Sequence, residues 1–111
     1  MRLDTANIAR VQAACDAIAE IMDTAAFRSR FSNVRLLRSV GEIEGARQHL
    51  PSALLPFMVE PQPESVDVYA FDSNDEIAPK VVVWNDHAVV WDWSSFELFM
   101  KWIRDDPRDC V

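Results

Sequence analysis

The sequence predicts one α+β domain: an antiparallel sheet of about four strands, an N-terminal amphipathic helix, and a C-terminal helix packed on the sheet. Three observations carry that expectation. Apolar residues recur at steps of three and four near the start (Ile8, Val11, Cys15, Ile18, Met22 and Ala25) and again at Phe96, Phe99, Met100 and Ile103. Between them lie short runs rich in β-branched and aromatic residues, punctuated by turn formers. A length of 111 residues, 50% of them hydrophobic, suits a single buried core and not two.

Taken in order, residues 1–33 form a helical extension whose N-cap is Asp4 or Thr5. Its apolar stripe falls short of the sustained heptads of a coiled coil, so it is expected to dock on its own domain. Phe27 to Asn33 carries Arg28 and Arg30 and reads as a loop or frayed helix end. The core runs from 34 to 103. Val34 to Ser39 reads as a strand, and Ser39 and Glu42 are spaced as a capping box. The helix they start should stop at Leu50, because Pro51 disfavours the helical conformation there. From Pro51 to Glu64, prolines 56, 61 and 63 interrupt an apolar stretch, expected to be an extended connection lying on the core. Strands follow at Val66–Phe71, Lys80–Trp84 and Ala88–Trp91, the last two joined as a hairpin through Asn85-Asp86-His87. Ser94 and Glu97 are spaced as a second capping box for the final helix, which ends near Arg104, and 104–111 reads as a polar tail.

Residue types exclude several functions. Gly41 and Gly45 are the only glycines, too few for a P-loop or a dinucleotide-binding fingerprint, and Gly-x-Ser-x-Gly is absent. The only histidines, His49 and His87, sit in no metal-binding spacing. Asp72, Asn74 and Glu76 open like a calcium loop, but Ile77 stands where that loop needs glycine and Val83 where it needs glutamate. Cys15 and Cys110 match no metal or redox spacing, and Cys15 falls on the apolar stripe as a small hydrophobe. Ser94 and Ser95 read as helix caps, not as a nucleophile for His87. No catalytic residue, cofactor or metal is expected. No window approaches the ~20 apolar residues of a membrane span. The opening MRLDTANIAR lacks the basic region and apolar core of a secretory signal, so a soluble cytoplasmic protein is expected.

Charge gives the strongest functional hint. Between Phe57 and Met100, nine acids oppose Lys80 alone, a local charge of −8 against −7 for the whole chain. Such a field draws basic partners and repels nucleic acid and anionic membranes. The modest basic group of Arg28, Arg30, Arg35 and Arg38 does not reverse it. The candidate partner-binding residues are Glu60, Glu64, Asp67, Asp72, Asp75, Glu76, Asp86 and Asp92. Trp93 and Trp102 join them as partly exposed aromatic anchors, with Trp102 expected on the flank of the last helix away from Phe99.

The order of segments from Val34 to Ile103 resembles the SUKH superfamily. Leu55-Pro56-Phe57 leads to the strand Val68-Tyr69-Ala70-Phe71-Asp72. Pro79-Lys80-Val81-Val82-Val83-Trp84 follows, and the helix start Ser95-Phe96-Glu97-Leu98-Phe99 closes the domain. Upstream, LLRSVGEIEGARQHL looks like the family's strand and Glu-rich helix. Two features differ from the family pattern: Glu60-Pro61-Gln62-Pro63-Glu64 replaces a Gly-rich turn, and residues 1–33 replace a Leu-Pro pair and an Asn-Gly-Gly turn, as in a branch truncated or divergent at its N-terminus. The resemblance implies a non-enzymatic binding domain, in bacteria commonly an immunity protein that neutralises a cognate toxin, often a nuclease. The alternative expectation is a structural or adaptor module that forms a homodimer through its N-terminal helix.

Overall fold

The computed structural model describes residues 3–72 and 79–105. Helix α1 spans Thr5–Ala19. The side chain of Asp4, not Thr5, caps it by accepting from the Asn7 amide at 2.9 Å. Val11, Ala14, Cys15 and Ile18 are buried against the domain's own core, so the stripe docks inward. The Cys15 thiol is directed at the carbonyls of Leu37 and Phe57, at 3.8 and 3.6 Å. Residues 27–30, expected as a loop or frayed helix end, belong with Ala25 to a separate helix α2, Ala25–Arg30, because Thr24 caps the Phe27 amide and Phe27 is buried.

The first strand, β1, is only Arg35–Leu36, since Ser39 already belongs to the next helix as its N-cap. That helix, α3, spans Val40–Arg47, and both halves of the predicted box between Ser39 and Glu42 are present. Helical geometry ends before Leu50, and turn hydrogen bonds from His49 to Ala46 and from Leu50 to Arg47 complete the stretch.

The sheet has five strands in the order β1-β2-β3-β4-β5, not about four, and every pairing is antiparallel. The additional strand is β2, Leu54–Pro61, which the sequence reading treats as a connection because of its prolines. Two features accommodate them. Pro56 adjoins a β-bulge at Phe57, and β1 meets β2 only at Met58 and Val59, so β2 lacks a ladder partner on one side at Pro56. Strands β3 (Val66–Asp72), β4 (Lys80–Asn85) and β5 (Ala88–Trp93) complete a meander. Asn85, expected in the hairpin loop, lies in β4 opposite Ala88, so the loop is Asp86-His87 alone. Both residues have positive φ, 50° and 68°, the signature of the two-residue turn whose twist matches a hairpin.

Helix α4, Phe96–Arg104, is capped by Ser95, not Ser94. Trp93 is the last residue paired to β4, and with Ser95 as cap the third helical residue is Leu98, so no reciprocal box forms with Glu97. Phe99, Met100 and Ile103 are buried. One face of the sheet, carrying Tyr69, Phe71, Val81 and Val83, meets α1, α2 and α4 in the main core. On the other, Leu54, Ala70 and Val82 form a small cluster with Leu50 and Trp84.

Phe57 lies within 5.9 Å, centroid to centroid, of Phe71, Phe96 and Phe99 and is fully buried. Phe57→Ala should therefore cost about 3–5 kcal/mol in urea denaturation, against about 1 kcal/mol for Ser39→Ala at the α3 cap. Equal costs for the two would mean that the cluster does not organise the core.

Candidate functional site

The predicted acids do not converge on one surface. Glu60 is 6% exposed, accepting from the Ser32 amide at 3.1 Å and from Gln62 Nε2 at 2.9 Å. It ties the β1 approach to β2 and is not presented to a partner. Asp67 is half-buried opposite Glu60 and accepts from Asn85 Nδ2, which also donates to Ser65 Oγ. Asp72 is half-buried opposite Lys80, on the sheet face that also carries Asp92. Glu64 is exposed between β2 and β3, and Asp86 and Asp92 are exposed on and beside β5. Asp75 and Glu76 lie outside the described residues.

The tryptophans match the expectation in exposure but not in placement. Trp93 and Trp102 are half-buried and pack on each other at 5.0 Å. Trp102 does not lie away from Phe99 but stacks beside it at 6.2 Å, since residues three apart share a helix face. The Arg30 guanidinium sits over Trp102, 4.5 Å from the ring centre. The most exposed large aromatic is Trp91, at 61%, next to Val89 at 47% and Val90 at 56%. Its exposure follows from strand order: β5 ends the sheet, so a run of apolar residues there has no strand beyond it to cover it.

Strand β5 is thus an apolar edge. Asp86 precedes it, Asp92 lies within it and Glu97 follows it in the first turn of α4, with no Lys or Arg from Asn85 to Met100. Trp91 and Val89 oppose Val83 and Trp84, leaving Val90 as an inserted residue in a bulge. The bulge breaks the regular edge ladder, which favours recognition by side chains over simple addition of a strand.

Two concavities flank this edge. On the sheet face opposite α4, Val59, Val66, Val68 and Trp84 floor a cleft of about 580 Å³, walled by Ala46 and Leu50. Arg35, Glu42, His49, Asp86 and His87 stand around it, so the turn with positive φ brings both histidines to one cleft. On the α4 side, Tyr69, Val83, Trp91, Trp93 and Trp102 line a pocket of about 300 Å³. Among the described residues no group of three or more His, Cys, Asp or Glu is placed to hold a metal ion, and no helix is long and apolar enough to cross a membrane. No protein-family model matches the chain, and neither a curated protein nor a solved structure does.

Burial raises the Tyr69 hydroxyl above its ordinary value of 10.0, with Glu60 and Asp67 adding to the effect. Burial likewise raises the Cys15 thiol above its ordinary 9.0, against a smaller opposing pull from Arg38. The folded chain holds both protons more tightly than the unfolded chain, so their stabilisation is complete below pH 9.0 and is lost as pH rises through the raised values. The urea midpoint should hold up to about pH 9 and fall from there to about pH 11, and Cys15→Ala should flatten the first part of that decline. A midpoint flat across the range would contradict the burial of these groups.

Proposed function

We propose that this chain is a protein-binding domain that neutralises a basic partner by occupying it, without turnover. This is the role of the immunity proteins in the SUKH superfamily that the sequence resembles. The observation that carries the reading is the β5 edge, where Val89, Val90 and Trp91 are exposed in succession, Trp91 on the α4 face and Val89 on the other, with Asp86, Asp92 and Glu97 along the same edge and no base between them. An exposed aromatic anchor with a single-sign rim combines the two features that give a protein interface its affinity and its on-rate. A toxin domain acting in the cytoplasm on a phosphodiester suits it best, because its positive substrate-binding surface is what clustered carboxylates imitate. Self-association through α1 has less support, because the stripe that suggested it is buried in the same chain's core.

The test is capture from the source organism's lysate at low and high salt with the whole chain as bait. One basic partner should be retained and then released by salt. Trp91→Ala should weaken it by at least about tenfold, as for an interface hot spot, and Asp86→Lys with Asp92→Lys should slow association. Recovery of the bait alone, as a defined oligomer, would sink the reading, as would capture indifferent to all three substitutions.

A further inference from the structure

Beside the β5 edge the chain carries a second recognition element, the aromatic pocket on the α4 side of the sheet. Tyr69 is 6% exposed and Trp91 is 61% exposed, so the pocket runs from buried ring to solvent. Trp93 stands between, 6.4 Å from Trp91 and 5.0 Å from Trp102, with interplanar angles of 54° and 48°. The rings are inclined to one another and not stacked flat, which is how π-faces come to surround a small volume. At about 300 Å³ it lies at the lower end of the ~300–1,000 Å³ typical of ligand sites and suits one side-chain head.

Apart from Arg30 over Trp102, the charges nearest its inner end are carboxylates. Glu60 and Asp67 oppose each other directly across β2 and β3, on the face that carries Tyr69 and about 6–7 Å along the strand from it. Carboxylates directly opposite one another repel. The side-chain contacts of Glu60 and Asp67 are hydrogen bonds from Ser32, Gln62 and Asn85, not ion pairs such as those joining Arg28 to Asp23 and Arg38 to Asp16. Both carboxylates press on the Tyr69 hydroxyl and help to hold its proton in place. A neutral head would gain nothing from these carboxylates, whereas a cation would be attracted by them and by the ring faces left open, Arg30 already covering one face of Trp102 and opposing part of that attraction. The chain also shows which cation these rings accept, because its own Arg30 guanidinium sits over Trp102 at 4.5 Å. A planar guanidinium stacks on an indole face, while an ammonium is a compact and strongly hydrated point charge.

We infer that the pocket lined by Tyr69, Trp91, Trp93 and Trp102 is a cation-binding site that takes the guanidinium of an arginine presented by the protein partner. The inference rests on the protein-binding reading for the source of the arginine, but the pocket's preference for the cation can be measured without any partner.

The experiment uses the full chain labelled with ¹⁵N and follows the four indole N–H signals. The probes are Nα-acetyl-arginine methylamide, its neutral isostere with citrulline, and the lysine analogue. Arginine should shift the Trp91 and Trp93 signals saturably and leave Trp84, on the other sheet face, in place. Citrulline should bind about tenfold more weakly, the ratio expected when a cation–π contact is lost. Trp91→Ala should reduce arginine binding about as much, and because Trp91 is exposed the variant should melt like the parent. Asp67→Asn, which keeps a side chain of the same shape, should weaken arginine but not citrulline. Equal binding of arginine and citrulline, lysine ahead of arginine, or shifts confined to Trp84 would each overturn the inference. Arginine binding in the pocket with no partner captured from lysate would uphold the site and remove the neutralisation reading. Partner capture that survives Trp91→Ala and ignores the arginine probe would overturn the site.

Discussion

A single inserted residue in β2 sets much of this structure. Leu55 opposes Phe71 and Met58 opposes Tyr69, with Phe57 as the extra residue between them. All three are fully buried. Strict alternation would send Phe57 and Met58 to opposite faces of the sheet. The bulge lets two consecutive large side chains enter the same core, where Phe57 meets Phe71, Phe96 and Phe99 and thereby joins the sheet to α4. It also reverses the facing of every residue that follows in the strand. Glu60 lands on the helix side, opposite Asp67 and within reach of the Ser32 amide, because of that one-residue offset.

Legibility in the sequence followed the range of the interaction concerned. Local devices were readable: the α1 stripe, the Ser39–Glu42 box and the β4–β5 hairpin depend on residues a few positions apart. Strand β2 was not, because its prolines argue against a strand unless one knows that a bulge sits beside Pro56 and that β1 stops short of it. The Ser95 cap was missed for a related reason. Two adjacent serines are equivalent locally, and the tie is broken by where the ladder to β4 releases the chain. As for the candidate site, the acidic excess was plain from composition, but its division between two sheet faces and a turn depends on register. Trp91 escaped notice because exposure at a sheet edge is a property of strand order, which no local pattern encodes.

That division of charge changes what acidity means here. Glu60 and Asp67 hold parts of the framework together and lend a field to the aromatic pocket, while Asp86, Asp92 and Glu97 stand at solvent around β5. Carboxylates of the first kind are largely fixed before any partner arrives, so their contribution carries little ordering entropy at the moment of contact. Those of the second kind are screened by salt and act mainly at a distance, on encounter. If the chain binds a basic partner as proposed, the two kinds of carboxylate would separate steering from seating.

The two borders of the sheet are unlike. On one side β1 is two residues long and carries Arg35, and residues 54–60 of β2 behind it are buried. On the other side β5 has six residues and its apolar side chains meet water. Growth of an ordered aggregate or filament by sheet extension requires each copy to offer two complementary ends, so that every addition regenerates the site for the next. This fold sets a six-residue border against one of two residues. A copy seated on β5 would meet only the two-residue β1 at the far border, so extension of the sheet from one copy to the next has little backbone to pair with.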